Sequence, residues 1–469
     1  PSKAELITCI AIKDKDDKIG IPIDIRKGET LTLIEESGKI VLSKDSHQSF
    51  STIILRNDKE KSELVLKASD KHEFELHKTI YLTQEKQLIF DNVEKIKNKL
   101  IHINDYIHAN PEIGFKEFKA YNLLTKSLED EGFIVNHKIA NLETAFEAIY
   151  INNDDTGPTI GILAEYDALE GMGHACGHNI IAAGAFGAAV ALSQSLGDIS
   201  ATIKVYGTPA EENEGGKIIM ANEGYFKDCD VILMCHPSDY TTAGANYLSM
   251  QDFIFTFIGK SAHSARAYKG ISALSAAISF FNGTDSLRQF VRPDARMHGI
   301  ITYGGDAPNV VPEKTEIKFS IRAKDTNYLK ELAIKVKNIA ESAAFMSGTE
   351  LAIEEGYIFE SNIVIPLLAD LLLKNAKLSG AKRILEPSEA GSTDFGNVSK
   401  LVPSECLDIE FVSLNAPCHS HQWVEAANSP DGHNATVTAS KAIAATAFDL
   451  ITRPDLLQQV KDEFYALKL

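Results

Sequence analysis

The sequence has no apolar run long enough to cross a bilayer. Its longest uncharged, mostly apolar stretch, Ile180 to Leu192, is 13 residues rich in Ala and Gly, short of the ~18 to 20 that a spanning helix needs. Excess positive charge is also missing: 47 Lys and Arg stand against 65 Asp and Glu, a formal charge of −18. That balance argues against a phosphate-backbone partner or an anionic membrane surface, so neither nucleic acid nor membrane is an expected partner. Cysteine is sparse. Six in 469 residues (Cys9, Cys176, Cys229, Cys235, Cys406 and Cys418) do not make a disulfide framework, and in a reducing compartment each is a free thiol or a ligand. No basic stretch followed by an apolar core and a small-residue cleavage site opens the chain, so a cytoplasmic location is expected. Internal repeats and low-complexity tracts are absent too. What is present is 44% apolar residues, enough for a sizeable core, in a length that predicts two or three domains.

Residues 1–90 differ from the rest. They carry 15 basic and 16 acidic residues but only three of the 30 glycines. Short segments such as Leu6 to Ile12, Thr30 to Ile34, Phe50 to Ile54 and Leu64 to Leu66 are rich in β-branched and apolar residues, and charged or Gly-containing turns separate them. This predicts a small all-β module with nothing catalytic in it. From about Val93 the spacing becomes helical and then alternates. Phe133 to Val135, Phe146 to Ile151, Thr159 to Leu163 and Thr202 to Tyr206 read as strands, with a helix at Ile180 to Leu196 between two of them. That rhythm predicts an α/β fold with a mostly parallel sheet flanked by helices. A second block, 247–360, opens on the alternating Phe253 to Phe257, passes through an Ala-rich helix from Gly270 and returns at Thr315 to Ile321. It reads as an α+β insertion, leaving 91–246 and 361–469 as one domain.

The densest chemistry lies in Gly173-His174-Ala175-Cys176-Gly177-His178-Asn179, just past the strand at 159–163. A Cys and a His two apart in a Gly-rich turn can address one ion, because thiolate and imidazole suit Zn²⁺ and related metals. A buried thiol beside a satisfied histidine would read the same way. Glu211 and Glu212 follow the strand at 202–206, where parallel sheets place their active-site loops. One carboxylate of such a pair can bind metal while its neighbour takes a proton from water; an exposed acidic loop is the plainer alternative. His236, after the strand Val231 to Leu233, and His419, in Pro417-Cys418-His419-Ser420-His421, close the set. Soft and imidazole donors at three strand ends, plus the carboxylate pair, are enough for two ions.

With these motifs in place, the chain resembles the two-metal metallopeptidases that include aminoacylases, carboxypeptidase G and the N-acyl-amino-acid amidohydrolases. The resemblance begins at His108-Ala109-Asn110-Pro111-Glu112 and runs to the C-terminus. Ala164-Glu165-Tyr166-Asp167-Ala168-Leu169 running into the Cys176 motif resembles the branch of p-aminobenzoyl-glutamate hydrolase and the aminoacylase-like dipeptidases. Many relatives carry Asp where this chain has Asn179. The resemblance implies that a Cys176 thiolate bridges two divalent ions, with His178, Glu212, His236 and His419 completing the coordination. His421 competes with His419, which is preferred because Val424-Glu425-Ala426-Ala427 falls in the family's register. It further implies that Asp167 orients a ligand, that Glu211 is the general base, and that His263, in Gly259-Lys260-Ser261-Ala262-His263-Ser264-Ala265, steadies the oxyanion, often across a dimer interface. Asn309 and Arg322 occupy positions that contact the substrate in relatives, and Ser392 and Thr393 lie in a pocket-lining loop. For these four, an ordinary polar turn or a surface arginine is the competing account.

The expected activity is hydrolysis of the amide bond in a small N-acyl amino acid, an aminobenzoyl-glutamate-like compound or a dipeptide. Zn²⁺ is the expected ion, with Mn²⁺, Co²⁺ or Ni²⁺ sharing the architecture, and a homodimer through the insertion is the expected assembly. Two alternatives need the same residues: a hydrolytic deaminase of an aromatic amine, with a different pocket, and a catalytically silent metal-binding protein. The intact Glu211 and full donor set speak against the silent protein.

Overall fold

In the computed structural model, residues 82–388 and 391–468 are described throughout, together with the backbone of six strands nearer the N-terminus. Those strands are β1 (Ala11–Lys13), β2 (Thr32–Glu36), β3 (Lys39–Ser43), β4 (Thr52–Asn57), β5 (Ser62–Ala68) and β6 (Phe74–Ile80). They pair antiparallel in the order β1-β4-β5-β6-β3-β2. The parts of the expected strands at 6–10, 30–31 and 50–51 lie outside the described residues. The chain divides into two units, Pro1–Leu88 and Ile89–Leu469.

After helices α1 (Gln84–Ala109) and α2 (Phe118–Asp130), the larger unit lays down β7 (Ile134–His137), β8 (Phe146–Asn152), β9 (Thr159–Ala164), α3 (His178–Ser193), β10 (Ala201–Gly207), α4 (Gly216–Glu223), β11 (Val231–Ser238) and β12 (Thr242–Ala243). The insertion holds β13 (Ser249–Ile258), β14 (Ala262–His263), α5 (Ala273–Leu287), β15 (Arg296–Tyr303), β16 (Val310–Val311), β17 (Lys314–Ala323), α6 (Thr326–Ser347) and β18 (Glu350–Glu355). Then come α7 (Pro366–Ser379), α8 (Phe395–Ser399), β19 (Ser404–Glu410), α9 (His421–Ala427), α10 (Pro430–Thr452) and α11 (Pro454–Lys468).

The main sheet has seven strands in the order β12-β19-β11-β9-β10-β8-β7. Only its centre is parallel: β19, β11, β9 and β10 run together, while β12, β8 and β7 pair antiparallel. The expected mostly parallel sheet is thus a mixed one. The short link from β7 to β8 explains that edge, because a parallel partner would need a crossover of a dozen or more residues. Helix α3 is buried along its whole length, so its composition is apolar all round rather than striped. A Cβ on Gly187 would meet Ser440 Oγ at 2.4 Å and Leu100 at 2.9 Å. Glycine there lets α3 lie close to α10 and α1.

The insertion forms a four-stranded sheet in the order β15-β17-β13-β18, with α5 and α6 packed against it. Strand alternation turns Phe253, Phe255 and Phe257 of β13 inward. Phe280 of α5 meets Phe255 at 4.9 Å and Phe319 of β17 at 5.0 Å between ring centroids. Ser272 caps α5 by accepting from Ser275 N–H, and Asp325 caps α6 by accepting from Tyr328 N–H. Phe280 is fully buried, so Phe280→Ala leaves a cavity expected to cost roughly 3–5 kcal/mol. Chemical unfolding followed by a probe confined to the insertion checks this; a midpoint equal to that of the native chain would contradict the packing described.

Candidate metal centre

The parallel centre of the sheet places the carboxyl ends of β9, β10, β11 and β19 side by side, the usual position for a site in such sheets. From β9 comes the segment 165–178, with Glu165, Asp167, Cys176 and, at the first residue of α3, His178. From β10 come Glu211 and Glu212. Here the chain turns back on itself: a Cβ on Gly216 would lie 2.0 Å from the Pro209 carbonyl oxygen, so glycine is needed for α4 to start where it does. Ala210 has φ +60, an unfavourable backbone conformation for a residue with a Cβ. Its N–H donates to Glu117 Oε1 at 2.9 Å, and Glu117 Oε2 accepts from Thr144 Oγ1 at 2.7 Å. Glu117 thus holds the strained residue next to Glu211. Burial, with Asp167 adding repulsion, raises the Glu117 carboxyl to about 7.

Strand β11 does not stop at Leu233 as expected but pairs with β19 through Ser238, with His236 opposite Asp408. His236 is therefore a strand residue, Nε2 3.6 Å from Cys176 Sγ. His419, at φ +55, lies beyond β19 with Nε2 3.9 Å from Glu212 Oε2. Three groups of donor atoms fall within 4.8 Å of one another: Cys176, His178 and His236; Cys176, Cys418 and His419; Glu165, His178 and Glu211. Of the two histidines weighed for the last position, His419 is the one in these groups, and His421 sits exposed at the start of α9.

His178 defines the electrostatics. Its Nδ1 bonds Asp167 Oδ1 at 3.0 Å, and Asp167 Oδ2 accepts from Glu212 N–H at 3.0 Å. Burial pushes the Asp167 carboxyl up, but the imidazole and these hydrogen bonds outweigh it and hold the group below its ordinary value. Around His178 Nε2 stand Glu165 Oε2 at 3.4 Å, Glu212 Oε1 at 3.7 Å and Glu211 Oε2 at 4.0 Å. His178 Nε2, Glu212 Oε1 and Glu165 Oε2 are buried without a hydrogen-bond partner. Burial, then the charges of Glu165 and Glu212, push the Glu211 carboxyl well up. Acceptors that converge without donors fit divalent cations.

Lys217 and Asp394 were not singled out from the sequence, and Cys418 and Asn179 gain roles here that it did not give them. Lys217, fully buried in α4, lies 2.7 Å from Glu165 Oε1 and 2.6 Å from Asp394 Oδ1. Burial opposes its charge, yet Asp394 and Glu165 hold it protonated. Cys418 hydrogen-bonds Cys176, which raises the Cys176 thiol and lowers that of Cys418. Asn179 donates from Nδ2 to Asn104 Oδ1 at 2.9 Å and to the Ala427 carbonyl at 3.0 Å, and Asn104 Nδ2 donates to the same carbonyl at 3.1 Å. A carboxylate could donate to neither, which gives a physical reason for Asn rather than Asp in this chain.

His263, Asn309 and Arg322 belong to the insertion. His263 and Asn309 are neighbours: β14 pairs with β16, and Ser264 N–H donates to the Asn309 carbonyl at 2.9 Å. His263 Nδ1 accepts from Ala265 N–H at 3.1 Å. Both residues are exposed, and among the described contacts neither touches the ion-binding cluster. Arg322 lies in β17 opposite Met250 and Arg296. In the loop before α8, Ser392 Oγ is buried without a partner and Thr393 Oγ1 accepts from Phe395 N–H. The next residue, Asp394, is the one tied to the centre.

Comparison with known proteins agrees with this geometry. Residues 249–345 match the model of a peptidase dimerisation domain, M20_dimer. The Xaa-Arg dipeptidase of Mus musculus is 34% identical over 391 residues, covering 80% of this chain and 90% of the mouse protein. One of the polypeptides of the p-aminobenzoyl-glutamate hydrolase of Escherichia coli K12 is 29% identical over 461 residues, covering 80% of this chain and 94% of that one. Among solved structures, a dinuclear metal-binding M20 peptidase of Bacillus subtilis shares the fold with a TM-score of 0.58 at 20% identity, covering 76% of this chain and 99% of that one. Identity above 30% sustained over four-fifths of the sequence goes beyond a shared fold: the chain belongs to the M20 family of metallopeptidases, hydrolases of C–N bonds.

Proposed function

We propose that the chain hydrolyses a small N-acyl amino acid, an aminobenzoyl-glutamate-like compound or a dipeptide at a centre for two divalent ions. The observation that carries this is the buried cluster of carboxylate oxygens around His178 Nε2, in which Glu165 Oε2, Glu212 Oε1 and Nε2 have no hydrogen-bond partner. Cys176 would bridge the ions, since its sulfur is common to the group with His178 and His236 and the group with His419. Glu212 would complete the His419 end. One thiolate, three imidazoles and a carboxylate suit Zn²⁺, and Mn²⁺, Co²⁺ or Ni²⁺ can take the same donors. Ions bound there acidify water and polarise a carbonyl.

The protein's own groups do the rest. Glu211 accepts a proton from the attacking water and passes it to the departing amine. Asp167 fixes the His178 ring so that Nε2 faces the centre. Because His263 Nδ1 accepts a hydrogen bond from Ala265, the neutral ring carries its proton on Nε2 and can donate it to an oxyanion. Asn309 and Arg322 are assigned to the substrate's carbonyl or carboxylate, and Ser392 and Thr393 to the lining of its pocket.

His263 needs a route to a centre, and a homodimer through the insertion supplies one. The insertion sheet has two edges. β18 carries Glu350, Glu354 and Glu355, which would repel a second copy, whereas β15 exposes Ile300, Ile301 and Tyr303 beside unpaired main-chain groups. Pairing of β15 with its two-fold mate would cover both. We assign 91–246 and 361–469 to the catalytic domain, 247–360 to the lid and dimerisation domain, and 1–90 to a separate all-β module. The five described cysteines are unpaired, which suits a reducing cytoplasm.

Glu211→Gln is expected to keep both ions by metal analysis while kcat on a cleaved dipeptide or N-acyl amino acid falls by about 10²–10⁴-fold; near-native turnover would refute the assignment. Chelation should abolish hydrolysis and added Zn²⁺ or Mn²⁺ restore it. Ile300→Lys should shift the chain from dimer to monomer in sedimentation. Mixed dimers of His263→Ala and Glu211→Gln protomers should regain activity that neither parent has, and failure in verified mixed dimers would place His263 outside the partner's site.

A further inference from the structure

Glu165 has no part in the ligand set above, yet it is the carboxylate closest to His178 Nε2. It is fully buried. One oxygen, Oε1, lies 2.7 Å from Lys217 Nζ, and Lys217 is itself fixed twice by Asp394: Nζ to Oδ1 at 2.6 Å and main-chain N–H to Oδ2 at 2.9 Å. The other oxygen, Oε2, lies 3.4 Å from His178 Nε2, nearer than Glu212 at 3.7 Å or Glu211 at 4.0 Å. With Nδ1 bonded to Asp167, Nε2 is the ring atom left to take a cation, and Glu165 Oε2 faces it in a buried space with no hydrogen-bond partner. Two such atoms stay that close only with a cation between them, a proton on Nε2 in the empty site or a metal ion in the loaded one. Donor atoms ~2.1 Å from one ion in tetrahedral array stand ~3.4 Å apart, the separation found here. A single lysine also leaves the Glu165–Lys217–Asp394 trio one negative charge in excess, so the ion pair alone does not account for Glu165.

We propose that Glu165 is a further metal ligand, giving Oε2 to the ion held by His178 and His236, and that Lys217, anchored by Asp394, is the positioning residue that aims it. This rests on the two-ion reading of the site. An anionic oxygen at that end, beside thiolate and imidazole, would also make it more hospitable to harder ions than the opposite end.

The test uses the full chain, stripped with a chelator and titrated with Co²⁺, following the visible ligand-field and thiolate charge-transfer bands together with competition by a chromophoric chelator. The native chain should take up two ions. Glu165→Gln should bind one ion as the native chain does and the other at least about tenfold more weakly, with altered ligand-field bands. Glu165→Asp keeps the charge opposite Lys217 but withdraws the oxygen by one methylene, and should weaken the same ion. Lys217→Met should weaken that ion by about 10–100-fold, Lys217→Arg should recover part of the loss, and combining Lys217→Met with Glu165→Gln should add little to the latter alone. Two ions bound with native affinity and native bands by folded Glu165→Gln or Glu165→Asp would overturn this inference alone. Uptake of fewer than two ions by the native chain would overturn it together with the reading on which it rests.

Discussion

The structure depends on a deficit of hydrogen-bond donors. Around His178 the fold gathers three glutamate oxygens and a ring nitrogen, and Glu165 Oε2, Glu212 Oε1 and Nε2 itself are buried without a hydrogen-bond partner. Burying charge without compensation is among the costliest things a protein can do. The protein's own cation, Lys217, is committed to Glu165 and Asp394. The remaining charge calls for ions from outside, and affinity for them is built into the folding of the centre.

Precise placement comes from supports with no part in the chemistry. Glu117 reaches from the start of α2 to hold Ala210 in its strained conformation, and Asp167 ties the His178 ring to the Glu212 backbone. The two therefore fix the loop after β10 from two separate segments, the start of α2 and the loop after β9. Strain of this kind persists only where the surroundings over-determine it. The insertion is held together differently, by an aromatic core of its own built on Phe253, Phe255, Phe257, Phe280 and Phe319.

Much of this was legible in the sequence because the relevant residues sit beside local signals. The alternation in Phe253 to Phe257 and the Gly-rich turns around Cys176 and Glu211 mark a strand and two strand-end loops, and the Cys176, Glu211 and His419 segments do meet. Glu165, Lys217 and Asp394 are harder to read. Glu165 lies in the segment Ala164 to Leu169 that leads into the Cys176 motif, but nothing nearby reveals that its partner is a lysine beyond the next strand, and a buried ion pair leaves no periodicity. Ser392 and Thr393 stand out in the sequence for their hydroxyls, whereas the geometry singles out Asp394. The antiparallel edge was foreshadowed by the short link from β7 to β8, and Pro237 disguises the last residues of β11 as a turn.

The hydrogen bonds that join Asn179 and Asn104 to the Ala427 carbonyl span 248 and 323 positions of chain. During translation the ribosome delivers Cys176, His178 and Glu212 long before His419 and Ala427 emerge, so the nascent chain carries most of the donors without the segment that closes the centre. The insertion sheet is built from contiguous sequence and can form early, while the strands of the seven-stranded sheet on either side of it wait for each other. The Ala427 carbonyl that ties Asn104 and Asn179 together is therefore among the last parts of this centre to be synthesised.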